Sequence, residues 1–300
     1  MRRSPKHRTR EHRRRRLRRH GRRAYIRSVY FLPSLATLGN AICGFGAMYV
    51  ATLDRGVTSP DAWTNFFSGH NFTVAAYLIF IAMLFDALDG RLARFARHTT
   101  DFGGQLDSLA DAVSFGAAPA FLALQVFKTY HADLAPVLSR LVWAVGALYF
   151  SCALIRLARF NVSNEHGEQH HFSFLGLPSP GAGGAVAAFI LMQQDLAQHA
   201  GHSGVLRTLS DVCVWLLPVV VAGTGLLMIS TIRYPHVVNR NLRGRRSIGR
   251  LIAAVGLLLL LFVAHRYMLG IGTLAYALWG LTSYLYLRYR PRRPPPPAAA

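Results

Sequence analysis

Acidic residues and cysteines are both scarce in this chain of 300 residues. Asp and Glu number 13 against 34 Lys and Arg, and only 16% of residues are charged while 52% are hydrophobic. A soluble globular domain usually carries about 25% charged residues, and a disordered basic protein lacks this much apolar sequence. Neither class of protein fits. The three cysteines lie far apart, so they favour neither a disulfide framework nor a zinc site.

Most of the positive charge lies near the amino terminus. Residues 1–30 contain 14 Lys and Arg and a single acid, which is +13 of the net charge of +21. This segment predicts a polybasic, partly disordered cytoplasmic tail that binds anionic membrane lipids. Because no aromatic platform or nucleic-acid-binding fold accompanies it, we expect no nucleic-acid partner. Residues 289–300 are Pro-rich and predict a second disordered tail.

Apolar runs separated by short polar segments fill the rest of the chain. Four runs of 18 or more residues carry no charge, and each is long enough to cross a bilayer as a helix. Four shorter runs reach that length when polar residues at one end are included. The sequence therefore predicts an all-α integral membrane protein with about eight transmembrane helices. Their expected bounds are 33–53, 73–97, 104–127, 139–161, 178–195, 211–231, 250–266 and 269–288.

The distribution of positive charge predicts the orientation of these helices. With both termini in the cytoplasm, 29 of the 34 Lys and Arg lie on the cytoplasmic side and 5 on the other side. Cytoplasmic loops of membrane proteins carry this excess of Lys and Arg. We therefore expect both termini to face the cytoplasm.

Four of the few acids lie at the ends of two neighbouring predicted helices. Asp86 and Asp89 are three residues apart, which places them on one helix face. Asp107 and Asp111 are four apart, with the same consequence. If the connection around residues 98–103 reverses the chain, the two pairs of carboxylates face each other at similar depth.

Two interpretations of these acids remain open. Arg91, Arg94 and Arg97 would neutralise them as a salt-bridged helix end. Alternatively, divalent metal ions hold the cluster together, since ligands that are all oxygen suit Mg²⁺ or Mn²⁺. Such a centre is typical of phosphate chemistry, whereas a carboxylate-based cation-coupled transporter would spread its acids along a pathway.

The acids belong to a longer pattern with fixed spacing. Asp86-x-x-Asp89-Gly90-x-x-Ala93-Arg94, followed by Gly103-x-x-x-Asp107-x-x-x-Asp111, resembles the motif of the CDP-alcohol phosphatidyltransferases. That family transfers a phosphatidyl or related group from a CDP-linked donor to an alcohol and releases cytidine monophosphate. The resemblance implies that the four aspartates are ligands of a two-metal centre and that Asp111 is also the catalytic base.

The same resemblance implies roles for smaller residues around the acids. Gly90, Ala93 and Gly103 would line the cytidine pocket, and Arg94 would contact the donor phosphates. Thr37 and Asn40 belong to a first-helix pattern that is also similar to this family, and they are predicted to contact substrate.

Further segments resemble the bacterial phosphatidylserine synthase branch of the family, which implies CDP-diacylglycerol as donor and L-serine as acceptor. They are residues 106–120, 153–161, 176–180 and 232–235. The branch implies a homodimer in a bacterial inner membrane, its active site facing the cytoplasm. Glycerol-3-phosphate or an inositol phosphate remains an alternative acceptor. We expect a catalytic membrane domain with a six-helix core over 31–235, then a basic loop and two additional helices over 236–288.

Arg156 and Arg159 lie three residues apart at the end of a predicted helix. Such a pair commonly anchors a helix at the membrane interface. Because both fall on the same side of the membrane as the aspartates, they are also predicted to bind the donor phosphate or the serine carboxylate. Both interpretations remain open.

Overall fold

The chain folds into a bundle of helices in the part that the structure describes. The computed structural model describes residues 34–53, 70–96, 101–133, 135–165 and 176–232, together with residues 272, 275, 279 and 282. No strand occurs within these residues, so the predicted all-α class is confirmed there. The helices are α1 (Ser34–Ala51), α2 (Asn71–Ala96), α3 (Asp101–Asp111), α4 (Ala118–Tyr130), α5 (Pro136–Glu165), α6 (Ser179–His199) and α7 (Gly204–Ile229).

Six of the predicted helices are observed, and most are longer than the apolar runs that predicted them. The third of them corresponds to α3 and α4 together. The largest difference is at α7, which begins at Gly204 rather than at 211. The apolar run stops at Asp211, but the helix continues because its first turns are amphipathic, with Ser210 buried and Asp211 exposed. The predicted helices at 250–266 and 269–288 lie outside the described residues apart from four isolated helical positions, so the count of eight stays a prediction.

Five helical stretches are long and apolar enough to span a membrane: α1, α2, α3 with α4, α5 and α7. Their outer surfaces are apolar, as α1 illustrates, because Leu35, Ile42 and Phe45 are all more than half exposed on one face. A surface of this kind is suited to lipid rather than water. The chain is thus an integral membrane protein.

The centre of the bundle is α6. Small and polar residues lower its hydropathy, so it is absent from the five spans, yet most of its residues are buried. A Cβ atom on Gly183 would lie 3.3 Å from the Phe115 backbone, and one on Gly184 would lie 3.1 Å from Met83 Sδ. Small residues thus let neighbouring helices approach closely, as is common in membranes.

A single π-helical turn, Ala112–Ala117, joins α3 to α4. Its centre is buried, and the Tyr149 hydroxyl donates a hydrogen bond of 2.9 Å to the Phe115 carbonyl. π-helical turns inside α-helices frequently occur at functional sites. Nothing in the sequence predicted this turn, which begins directly after Asp111.

Helix α1 packs against this turn at Gly44. The Ser114 hydroxyl donates to the Asn40 carbonyl at 2.8 Å, and a Cβ atom on Gly44 would lie only 2.6 Å from Ser114 Cα. Because the obstacle is backbone, a side-chain rotation cannot relieve it. The contact therefore requires glycine at this position.

We expect Gly44→Ala to destabilise the protein, because the added methyl group must push α1 away from the π-helical turn. Overpacking of this kind costs about 1–3 kcal/mol, more than the gain of about 1 kcal/mol in helix propensity. Thermal unfolding of the detergent-solubilised protein measures the difference. The matched control is Gly46→Ala, whose Cβ would make only an ordinary contact of 3.7 Å with Leu78. Equal unfolding midpoints for the two variants would contradict the packing of α1.

Candidate active site

Three carboxylates meet at one end of the bundle. Asp86 and Asp89 lie near the end of α2, and Asp107 lies on α3. One ligand oxygen from each of the three falls within 4.8 Å of the others. The spacings of three and four residues place the acids on facing helix surfaces, and tertiary packing brings these surfaces together.

Two of these carboxylates have buried oxygens without a partner. Asp89 Oδ2 and Asp107 Oδ1 make no hydrogen bond within the described part of the chain. Asp89 is only 5% exposed. A buried carboxylate oxygen without a partner is costly, so these atoms fit a group that supplies positive charge. Ligands that are all oxygen suit a hard divalent cation, and the three residues therefore fit the metal centre that the motif predicted.

Asp111 lies next to this cluster but outside the group of three. It is 8% exposed and interacts electrostatically with Asp86, Asp89 and Asp107. Asn40 Nδ2 donates a hydrogen bond of 3.1 Å to its Oδ1 atom. The structure therefore places Asp111 beside the other acids, while its roles as a fourth ligand and as the base stay predictions.

The two predicted substrate-binding residues of α1 contact the acids. The Thr37 hydroxyl hydrogen-bonds to the carboxylate of Asp89, and Asn40 bonds to Asp111 as described. Both side chains are buried. Substrate binding by these residues stays a prediction, and the structure adds that each one orients an aspartate.

The surroundings of the cluster are open on the α2 side. A Cβ atom on Gly90 would meet nothing within 4 Å, and Gly103 is half-buried at the start of α3. Arg91 is exposed and forms no ion pair with the described acids. Arg91 therefore gives no support to the interpretation as a salt-bridged helix end. The side chains of Ala93, Arg94 and Arg97 lie outside the described residues.

The two arginines of α5 differ in their environment. Arg156 is half-buried and interacts electrostatically with Asp111 and Asp86, whereas Arg159 is exposed. Arg156 Nη1 donates a hydrogen bond of 2.7 Å to Ser179 Oγ at the start of α6. Arg156 therefore faces the acids.

Three serines around the site escaped the sequence analysis. Ser108 Oγ donates to Asn161 Oδ1 at 3.0 Å, which joins α3 to α5. Ser114 joins the π-helical turn to α1, and Ser179 joins α6 to α5. A serine within an apolar or turn-forming segment carries no periodic signal, so only the packing of the helices identifies these contacts.

Known proteins share this arrangement of sequence. The family model described as CDP-alcohol phosphatidyltransferase matches residues 30–210. A CDP-diacylglycerol–serine O-phosphatidyltransferase of Helicobacter pylori is 30% identical over 262 residues, covering 87% of this chain and 94% of that protein. Proteins of the same name in Methanocaldococcus jannaschii and Mycobacterium tuberculosis are 31% and 33% identical, covering 69% and 62% of this chain and 83% and 58% of their own. The matched range spans the positions of all four acids, and the chain belongs to the CDP-alcohol phosphatidyltransferase family.

Proposed function

We propose that this membrane transferase moves the phosphatidyl group of CDP-diacylglycerol to the hydroxyl of L-serine, forming phosphatidylserine and cytidine monophosphate. The relatives described above carry the name of that activity. One observation carries the proposal, namely the three carboxylates within 4.8 Å of one another, two of them with unpartnered buried oxygens, beside Asp111.

The acidic cluster is proposed to hold two divalent metal ions, Mg²⁺ or Mn²⁺. Asp86, Asp89 and Asp107 would be ligands, and Asp111 is the predicted fourth. When bound, the ions supply positive charge that stabilises the negative charge developing on the transferred phosphoryl group. The family uses divalent metals, and the oxygen atoms present suit these two ions.

Asp111 is proposed to accept the proton of the serine hydroxyl. The serine oxygen then forms a bond to the phosphatidyl phosphorus, and the bond from that phosphorus to the oxygen of cytidine monophosphate breaks. The Asn40 amide donates to Oδ1 of Asp111, so it orients the carboxylate and leaves Oδ2 to take the proton. The α1 helix thereby contributes to catalysis through Asn40.

Substrate recognition is proposed to use the residues around the cluster. Gly90, Ala93 and Gly103 would line the cytidine pocket, with Thr37 and Asn40 at its edge, and Arg94 would hold the donor phosphates. Arg156 and Arg159 carry the charge needed to bind an anionic substrate group. The open space at Gly90 supports a ligand beside the aspartates.

The proposed membrane arrangement rests on the charge distribution and on the family resemblance. We propose a bacterial inner-membrane protein with the active site and both termini in the cytoplasm and residues 31–235 as the catalytic domain. The donor would enter laterally with its acyl chains in the bilayer, while serine arrives from the cytoplasm. The polybasic residues 1–30 would bind anionic lipids. A homodimer is the expected assembly.

An acceptor panel tests this function. Purified protein in vesicles containing CDP-diacylglycerol is supplied with labelled L-serine, glycerol-3-phosphate or inositol phosphate, each with Mg²⁺, Mn²⁺ or EDTA. We expect labelled lipid and cytidine monophosphate only with serine and a metal ion. If labelled lipid forms with another acceptor instead, that acceptor replaces serine in the proposal. Absence of cytidine monophosphate release under every condition would contradict the chemistry and favour the transporter alternative.

A further inference from the structure

Ser179 holds the Arg156 guanidinium, and contacts in another part of the fold fix the position of Ser179. Ser179 is fully buried and accepts the 2.7 Å hydrogen bond from Nη1 of Arg156. The two residues lie on α5 and α6, 23 positions apart. The bond therefore depends on how the start of α6 is placed.

The segment before α6 is attached to the end of α7. The Gly176 N–H donates to the Ile232 carbonyl at 2.8 Å, and the Leu177 N–H donates to the Leu227 carbonyl at 2.9 Å. Gly176 has a φ of +87°, and a Cβ atom there would collide with the Met228 carbonyl. These backbone contacts fix the position of Ser179 independently of the arginine.

A second donor of Arg156 lacks an acceptor. Its Nε atom is buried and has no hydrogen-bond partner within the described part of the chain. Arg156 interacts electrostatically with Asp86 and Asp111, yet no ion pair within 4.0 Å joins it to a described acid. A buried N–H group normally has a partner, so an anionic oxygen between Arg156 and the aspartates would satisfy it.

We infer that Ser179 is a positioning residue that orients the Arg156 guanidinium to bind the carboxylate of the amino-acid acceptor. This inference rests on the proposed function. In serine the carboxylate stands only a few bonds from the hydroxyl, so its binding group must lie close to Asp111 without touching it. Arg156 meets this requirement, and Ser179 keeps its donors aimed at that space.

The test measures serine and donor kinetics separately for Ser179→Ala. We expect the KM for serine to rise about 10- to 100-fold, because a hydrogen bond to a charged group contributes roughly 1.5–3 kcal/mol. The KM for CDP-diacylglycerol and kcat should change little, and Ser179→Thr should restore the serine KM. Ser151→Ala, an exposed serine on α5, is the matched control and should behave as wild type.

A double variant separates positioning from independent binding. If Ser179 acts through Arg156, adding Ser179→Ala to Arg156→Lys should raise the serine KM no further. The inference would be overturned if the serine KM of the double variant rose by the product of the two single-variant increases. An unchanged serine KM in Ser179→Ala, or an equal rise in its donor KM, would also overturn it. Wild-type protein that does not use serine would instead overturn the proposed function, so the two failures are distinguishable.

Discussion

Asp111→Asn is expected to reduce turnover by roughly 10²–10⁴-fold, the usual contribution of a general base. The substitution keeps the shape of the side chain, and the remaining oxygen can still accept the hydrogen bond from Asn40. The substitution removes the group that takes the proton of the serine hydroxyl, together with the negative charge of the predicted fourth metal ligand. The measurement is labelled phosphatidylserine formed per minute by purified protein at saturating serine and donor.

Asp211→Asn is the matched control for this variant. It makes the same chemical change at an exposed position on α7, outside the cluster, and should leave turnover unchanged. The Asp111→Asn protein should unfold at a midpoint no lower than that of the wild type, since it removes one of several mutually repelling charges. Serine incorporation within tenfold of the wild-type rate would rule out Asp111 as the base.

Asp107→Asn is expected to weaken metal binding and to lower turnover about 100-fold or more at a fixed metal concentration. The reason is that Lewis-acid stabilisation contributes several kcal/mol, and each 1.36 kcal/mol changes the rate tenfold. The variant replaces one oxygen of a carboxylate whose Oδ1 atom is buried and has no partner among the described residues. Raising the Mn²⁺ concentration should recover part of the rate.

Electron paramagnetic resonance of Mn²⁺ measures this binding without turnover. The wild type should bind Mn²⁺ with the predicted stoichiometry of two ions, and Asp107→Asn should require more Mn²⁺ for the same occupancy. With Mn²⁺ the wild type should be more stable to unfolding than Asp107→Asn. In EDTA the variant should be the more stable of the two, because Asp107 is repelled by Asp89 and Asp86 when no cation is present. An Asp107→Asn variant with wild-type Mn²⁺ affinity would show that the cluster is not the metal site.

The helical architecture could be predicted from the sequence because it depends on local composition. A bilayer requires long apolar segments. Three runs of that length, and three shorter runs extended by polar residues at one end, lie where the structure describes helices. The ends of the helices were predicted less well, as the start of α7 at Gly204 shows. Amphipathic turns at helix ends do not extend the apolar run, so hydropathy alone stops too early.

The acidic cluster could be predicted from the sequence for a similar reason. The spacings Asp86 to Asp89 and Asp107 to Asp111 correspond to one helical turn, so each pair shares a face whatever the rest of the chain does. A short connection between two apolar helices then leaves few arrangements other than facing pairs. The resemblance to a family motif rests on these same spacings, and the family match confirms it.

The sequence by itself determined the membrane-spanning helices, the charge asymmetry and the position of the acids along two helices, because each depends on residues near one another in the chain. Only the tertiary structure decided that Asn40 bonds to Asp111 across 71 positions and that Ser179 holds Arg156. It also decided that Gly44 meets the π-helical turn. These contacts depend on which helices pack together and in which register, and packing in a bilayer is set by shape complementarity distributed over the whole bundle.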